Sequence, residues 1–403
     1  MNFMDKIIAR NGLTDIADKV FAAQRLSDEE GLRLYAVKDL NALGYLANHV
    51  RERKNGNVAT YVLNLYLNYS NICILSCQFC AFARRPHEKE GQFTYDIEEM
   101  ARQAKEAYDK GITEVHIVGG LHPKLPFSYY TEMVKALKAA CPNLTVKAFT
   151  AIEIRHLAER IAKKPIRETL EILRESGLNS LTGGGAEIFD AEVRDKICRG
   201  KESAEEWLEV HRAWHQMGER STCTMLYGHV ETTAHRIDHL RRLRELQDET
   251  HGFTAIVPFA YEPENNKLTH LGLGRASAFE DLRNLAIARI YLDNFDHVTA
   301  YWVSLGLPTA QVALSYGVDD LHGTIQQEKI FHMAGSQTPQ GQTVATLERA
   351  IREAGRIPMQ RNTFYQRINA HEIPGETLPD APNPQTVAAV AACPELAEGT
   401  VAE

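Results

Sequence analysis

No run of apolar residues in this 403-residue chain is long enough to span a bilayer, and Met1 to Arg10 lacks the basic start and apolar stretch of a secretory signal. These absences predict a cytoplasmic protein with no membrane partner. Clustered positive charge is also missing. There are 45 Lys and Arg against 53 Asp and Glu, a formal net charge of -8, and the basic residues are scattered. Without a positive stripe for phosphates, nucleic acid is not an expected partner. The seven cysteines do not form an even disulfide framework, because three fall within residues 73–80 while Cys141, Cys198, Cys223 and Cys393 stand apart. A reducing compartment fits that pattern. No internal repeat is present, and Gly183-Gly-Gly185 lacks both the Lys-Ser/Thr ending of a P-loop and the full spacing of a dinucleotide fingerprint.

An apolar fraction of 44% and a charged fraction of 24% are those of an ordinary globular protein, long enough for one large domain or two smaller ones. Residues 1–58 carry apolar positions at helical spacing and predict an N-terminal helical extension. Strand patterns follow at 60–68, 114–118, 145–150, 179–181, 222–227, 254–259, 298–303 and 312–315. Amphipathic helix patterns lie between them at 97–110, 129–140, 166–176, 204–217, 234–248 and 279–292. Such alternation predicts an α/β fold with a parallel sheet, and eight strands over roughly 250 residues suit a TIM-type (β/α)8 barrel better than an open sheet. The barrel is expected over 59–320, a segment completing it over 321–370, and a Pro-rich disordered tail over 371–403. In this fold the chemistry collects where the strands end.

Asn71-Ile-Cys73-Ile-Leu-Ser-Cys77-Gln-Phe-Cys80 follows the first strand pattern, which puts three thiolates on one loop at that face. Three thiolates satisfy three irons of a cubane cluster and leave the fourth iron free for another ligand. A zinc site completed by His87 is the competing reading.

The spacing of Cys73, Cys77 and Cys80, with the aromatic Phe79 before the last, resembles the radical S-adenosylmethionine (SAM) superfamily. Asn68-Tyr-Ser-Asn-Ile-Cys73, His116-Ile-Val-Gly-Gly-Leu-His-Pro123, Ala148-Phe-Thr-Ala-Ile-Glu153 and Gly183-Gly-Gly-Ala-Glu-Ile188 resemble its menaquinone (futalosine-pathway) branch, shared with deazaflavin synthases. Thr224-Met-Leu-Tyr-Gly-His-Val-Glu231, Gly317-Val-Asp-Asp-Leu321 and His332-Met-Ala-Gly-Ser-Gln-Thr-Pro339 are most similar to the aminofutalosine synthases. Two positions depart: His322 and Asn362 stand where that family's pattern has an acid.

The resemblance implies a 4Fe-4S cluster on the three cysteines, with SAM chelating the open iron through its amine and carboxylate. It implies a low-potential electron donor such as flavodoxin or ferredoxin. The small-molecule substrate would be the enol ether 3-[(1-carboxyvinyl)oxy]benzoate; the 5′-deoxyadenosyl radical adds to its vinyl carbon, and rearrangement with decarboxylation gives 6-amino-6-deoxyfutalosine and methionine. The alternatives are the dehypoxanthine futalosine cyclase of the same branch, deazaflavin synthesis, and a non-catalytic iron-sulfur or zinc-binding module.

Around this site Gly119 and Gly120 would let the backbone approach SAM, or form a simple turn. Thr150 and Glu153 would bond SAM, or cap a helix. Gly183, Gly184 and Gly185 would make room for the adenosyl group, with Glu187 orienting polar groups nearby. Phe79 would shield the cofactor. Arg84, Arg85, His122, Tyr227, His229, Asp319 and Asp320 are the candidates for contact with the substrate and its two carboxylates, and His229 is also a candidate catalytic residue.

Overall fold

The β-branched and aromatic run after Asn57 forms two consecutive strands, β1 (Val58–Val62) and β2 (Asn64–Leu67), interrupted at Leu63. They belong to a computed structural model that describes residues 3–368; the tail expected over 371–403 lies outside the described residues. The further strands are β3 (Glu114–Ile117), β4 (Thr145–Ala148), β5 (Ser180–Leu181), β6 (Arg220–Tyr227), β7 (Phe253–Ala260), β8 (His297–Val298), β9 (Asp320–Gly323) and β10 (Ile357–Gln360). A parallel ladder runs β2-β3-β4-β5-β6-β7-β8, and β1 pairs in parallel with both β9 and β10.

Backbone hydrogen bonds close this circuit. Asp319 N donates to Val298 O at 3.2 Å and Ala300 N to Asp320 O at 2.8 Å, joining β8 to β9. Tyr66 N donates to Gln326 O at 3.0 Å, joining the segment after β9 to β2. With β1 and β2 taken as one interrupted strand, the result is the expected (β/α)8 arrangement, with β10 as an extra strand on β1.

Burial follows the period of two. On β3 and β4, Val115, Ile117, Val146 and Ala148 are fully buried on the outer side, among the helices. The helices expected from the 3.6-residue period are present, including Ile97–Tyr108, Phe127–Ala140, Ala204–His215, Thr233–Thr250 and Ala278–Tyr291. The N-terminal extension forms four helices, Phe3–Arg10, Thr14–Phe21, Asp28–Ala36 and Leu40–Asn55. They are fastened to the barrel's outer helices: Tyr35 Oη donates to Asn284 at 2.9 Å, and Arg25 pairs with Asp248 and Asp293. Among the described residues no helix is long and apolar enough to cross a membrane.

Three expectations for the chain's second half are corrected. The apolar run at 312–315 is not a strand; a helix, Leu307–Ala313, opens with Pro308 in its first turn, where proline is favoured. The run at 298–303 is a strand only at its start and turns into the helix Trp302–Leu305. The eighth barrel strand is instead β9, whose Asp-Leu-His-Gly composition carries no strand signal. It runs across the boundary expected after Asp320.

What makes β9 a strand is tertiary. The Asp320 carboxylate accepts from Thr60 Oγ1 of β1 at 2.7 Å, from Thr299 Oγ1 beyond β8 at 3.0 Å, and from its neighbour His322 N at 2.9 Å. Arg361, just past β10, completes the set with Nε at 2.6 Å and Nη2 at 3.0 Å. Asp320→Ala is therefore expected to strand the buried guanidinium and cost about 3–5 kcal/mol, measurable by guanidinium unfolding.

Candidate active site

Inward-facing residues of the strands line a cavity of ≈ 290 Å³. The segment after β2 covers one side of it with Cys73, Cys77, Phe79 and Cys80, all in the cavity wall. This loop is anchored at several points. Cys73 N donates to Arg84 O at 2.9 Å, Ile74 N to Leu121 O at 3.1 Å and Gln78 N to Ile197 O at 2.7 Å. Burial pushes the Cys77 and Cys80 thiols up, and the Lys201 ammonium opposes it.

The donor set fits a cubane cluster with one open iron. Cys141, Cys198 and Cys223 are free and buried but absent from the cavity wall, and His87 is exposed. Among the described residues no three His, Cys, Asp or Glu side chains are placed to hold a single metal ion, as a zinc site requires.

Glu153 takes the capping role considered for it and also lies in the cavity wall. It closes a capping box with Thr150 at the helix Ala151–Arg155. Its buried carboxylate accepts from Thr150 N at 2.8 Å, Thr150 Oγ1 at 2.7 Å, Tyr69 Oη at 2.8 Å and Gly119 N at 3.0 Å. Four donors fill a carboxylate's capacity, so Glu153 acts by fixing the Gly119 backbone at the end of β3. The next residue, Gly120, lies against the cysteine loop: a Cβ there would sit 2.4 Å from Ile72 O.

Gly183, Gly184 and Gly185 also line the cavity. Gly183 is required by packing, since a Cβ would meet the Cys223 backbone at 2.5 Å. Glu187 lines the cavity and is paired with Lys201 Nζ at 2.5 Å. Beside them the Glu202 carboxyl is buried with neither oxygen hydrogen-bonded and Arg194 Nη2 3.9 Å away, and burial pushes it up to about 7.

The remaining candidates do not form part of the cavity wall. Arg84 Nη1 donates to Ala81 O at 2.9 Å and Ala83 O at 3.1 Å, and Arg85 Nη1 to Ile74 O at 2.6 Å; both arginines stitch the cysteine loop. The His122 ring accepts at Nδ1 from Lys124 N and Leu125 N, closing its own turn. Tyr227 falls on the outward side of β6 with Cys223 and Met225, and its hydroxyl donates to Asp281 at 2.8 Å. His229 Nε2 donates to Leu226 O at 3.1 Å, and its Nδ1 lies 3.1 Å from Glu231. Asp319 pairs with Arg289 and His297 before β9 begins, and Asp320 is spent on the barrel seam.

Other residues take their places. Tyr66, His116 and Lys147 line the cavity from one rung of β2, β3 and β4, where Tyr66 pairs in register with His116 and His116 with Lys147. Each is a polar residue between two apolar ones in its strand, and that alternation is the signal that reveals them in the sequence. His322, Tyr301 and Thr182 line the same cavity. The other family departure, Asn362, supplies a turn acceptor for Phe364 N at 2.9 Å and Gln366 N at 3.0 Å, which an Asp side chain would serve equally.

Two measurements check this geometry. Gly120→Ala is expected to push the cysteine loop aside and lower the iron retained after anaerobic reconstitution, with little change in far-UV circular dichroism. For Glu202, a pKa raised from 4.5 to about 7 means that the folded chain holds the proton more tightly than the unfolded one. Its contribution is complete below pH 4.5 and is lost as pH rises through 7, on the order of 3 kcal/mol. Unfolding of the apoprotein across that window should show the loss, and Glu202→Gln should flatten it.

Comparison with known proteins agrees with this geometry. Residues 67–243 match the Radical SAM superfamily profile and residues 250–374 that of the CofH/MqnC C-terminal region. An aminodeoxyfutalosine synthase of Thermus thermophilus is 50% identical over 88% of this chain and 96% of its own. A cyclic dehypoxanthine futalosine synthase of Streptomyces coelicolor is 38% identical over 90% of each. In fold, the crystal structure of methylornithine synthase superposes with a TM-score of 0.67 at 19% identity, covering 85% of this chain and 97% of that one. The cysteine loop at the end of the first barrel strand, the saturated Glu153 clamp beside it and these matches lead to one assignment: the chain belongs to the radical SAM superfamily, in the menaquinone branch that holds the aminodeoxyfutalosine synthases.

Proposed function

We propose that this enzyme joins the 5′-deoxyadenosyl group of SAM to 3-[(1-carboxyvinyl)oxy]benzoate, forming 6-amino-6-deoxyfutalosine in menaquinone biosynthesis. The observation that carries the reading is the match to the Thermus thermophilus synthase along nearly the whole of both chains, cysteine loop included. Overall, the 5′ carbon of SAM bonds to the vinyl carbon, the aryl group migrates, and methionine and the vinyl carboxylate, as carbon dioxide or bicarbonate, leave.

Cys73, Cys77 and Cys80 would hold a 4Fe-4S cluster, which would supply the electron that cleaves the sulfonium of SAM at its 5′ carbon. The chain's own residues position and shield. Phe79, Leu75 and Phe331 give the cavity an apolar wall that excludes water from a reactive carbon. Gly119, Gly120 and Gly184 bring backbone rather than side chains to the place of SAM, and Glu153 with Thr150 keeps that backbone fixed. A low-potential donor such as flavodoxin or ferredoxin would supply the electron in the cytoplasm.

The test is an anaerobic incubation of reconstituted enzyme with SAM, dithionite and each candidate substrate. The expected product is aminodeoxyfutalosine carrying the labelled adenosyl group, and Cys77→Ala should abolish both product and SAM cleavage. Release of 5′-deoxyadenosine with cyclised dehypoxanthine futalosine, and no coupled product from the enol ether, would establish the cyclase instead.

A further inference from the structure

This inference rests on the proposed function and concerns how the site holds its substrate. That molecule carries two carboxylates: one lies beside the vinyl carbon and is lost, and the other stays on the aromatic ring. We propose that Lys147, on the inner rung of β4, binds the ring carboxylate, assisted by the neighbouring imidazoles of His116 and His322.

Lys147 is distinguished by its lack of an ion-pair partner. The cavity wall contains two cationic side chains, Lys147 and Lys201, and Lys201 is already paired with Glu187 at 2.5 Å. Lys147 is 6% exposed and makes no hydrogen bond or ion pair with any described residue. The charges acting on it all lie beyond ion-pair distance, and the foremost, the Glu114 carboxylate, is itself held down by Lys147. Glu114, one rung lower, accepts from Thr363 Oγ1 at 2.8 Å and Asn64 Nδ2 at 3.3 Å, while Arg361 and Asp320 are bound to each other. Two further acids of the wall, Glu262 and Glu328, are engaged by Arg275 and His332. An ammonium so buried and unpaired is costly, and burial lowers its pKa. An arriving carboxylate would relieve that cost.

The surroundings of Lys147 are polar and only partly satisfied. Tyr66 stacks on His116 with ring centroids 4.4 Å apart, and its hydroxyl lies 2.9 Å from His322 Nε2. Those contacts hold both imidazoles in place. His116 Nδ1, His322 Nδ1 and Thr182 Oγ1 are buried in the cavity wall without a partner. Burial keeps both histidines neutral at physiological pH, which leaves Lys147 as the cation of this rung.

Depth selects the ring carboxylate over the vinyl one. Tyr66, His116 and Lys147 each precede the last residue of their strands, so the rung lies on the barrel side of the cysteine loop. The vinyl carbon must meet the 5′ carbon of SAM next to that loop, and the vinyl carboxylate is attached beside it. Only the carboxylate across the ring extends away from SAM toward the floor.

The test is calorimetric binding to the SAM-loaded, reconstituted enzyme without reductant. It uses the enol ether and its analogue without the ring carboxylate, for the wild type, Lys147→Met and Lys147→Arg. The wild type should bind the substrate roughly 30-fold or more tightly than the analogue. Lys147→Met should bring that ratio close to one by weakening the substrate alone, and Lys147→Arg should keep part of it; SAM affinity should not change. A wild-type preference that survives in Lys147→Met, or an equal loss for both ligands, would overturn the assignment. Failure of the function itself reads differently: the wild type would then form no aminodeoxyfutalosine on adding reductant.

Discussion

The carboxylate of Asp320 is the point at which the barrel becomes a ring. Its five hydrogen bonds reach Thr60, Thr299, the amide of His322 and two nitrogens of Arg361, so one buried group gathers β1, the end of β8, β9 and the residue after β10. A buried ion pair adds little net stability over an apolar replacement, because desolvation offsets its attraction. What it gives here is register, since no other spacing of β1, β9 and β10 satisfies the same carboxylate. The same bond explains His322. Its amide is turned toward Asp320 and its backbone is left-handed, with φ 63°, which sends the strand off its regular course and puts the imidazole in the cavity wall.

Once the ring is closed, the period of two decides what the cavity is made of. On β6, Thr222, Thr224 and Leu226 line the cavity while Cys223, Met225 and Tyr227 are buried on the helix side. Tyr227, for all its polar hydroxyl, is one residue out of phase with the site. The same count carries Tyr66, His116 and Lys147 inward, and their in-register pairing turns three isolated polar residues into one surface.

This separates what the sequence reveals from what it conceals. The cysteine motif is local, its spacing is its chemistry, and all three residues reach the cavity. Gly119, Gly120, Gly183, Gly184, Gly185, Thr150, Glu153 and Glu187 are there too, because strand ends converge in a barrel whatever the loops do. Arg84, His122 and His229 could not be judged this way, since a side chain in a loop chooses between the site and its own backbone, and all three chose the backbone. Strand β9 was hidden for the opposite reason: nothing in Asp-Leu-His-Gly favours extension, and its β1 partner Thr60 lies 260 residues away. Local propensity has no access to such a contact.

The cavity is therefore two environments joined end to end, and the reaction needs both. Next to the cysteines the wall is largely apolar, as suits a carbon radical and a redox centre that water would quench. At the floor it is polar, with an ammonium that has no ion-pair partner and polar atoms without hydrogen bonds. A dianionic substrate entering an acidic protein needs compensation somewhere, and the cation beside the cysteines, Lys201, is already neutralised by Glu187. Placing the charge on an inner rung of β4 and the cluster on the loop after β2 keeps the two apart along the barrel axis. In the binding proposed for Lys147 the substrate bridges them, its ring carboxylate on the floor and its vinyl carbon at the reactive end. The glycine backbone clamped by Glu153 sets the remaining distance, because a side chain at Gly120 would displace the very loop that carries the cysteines.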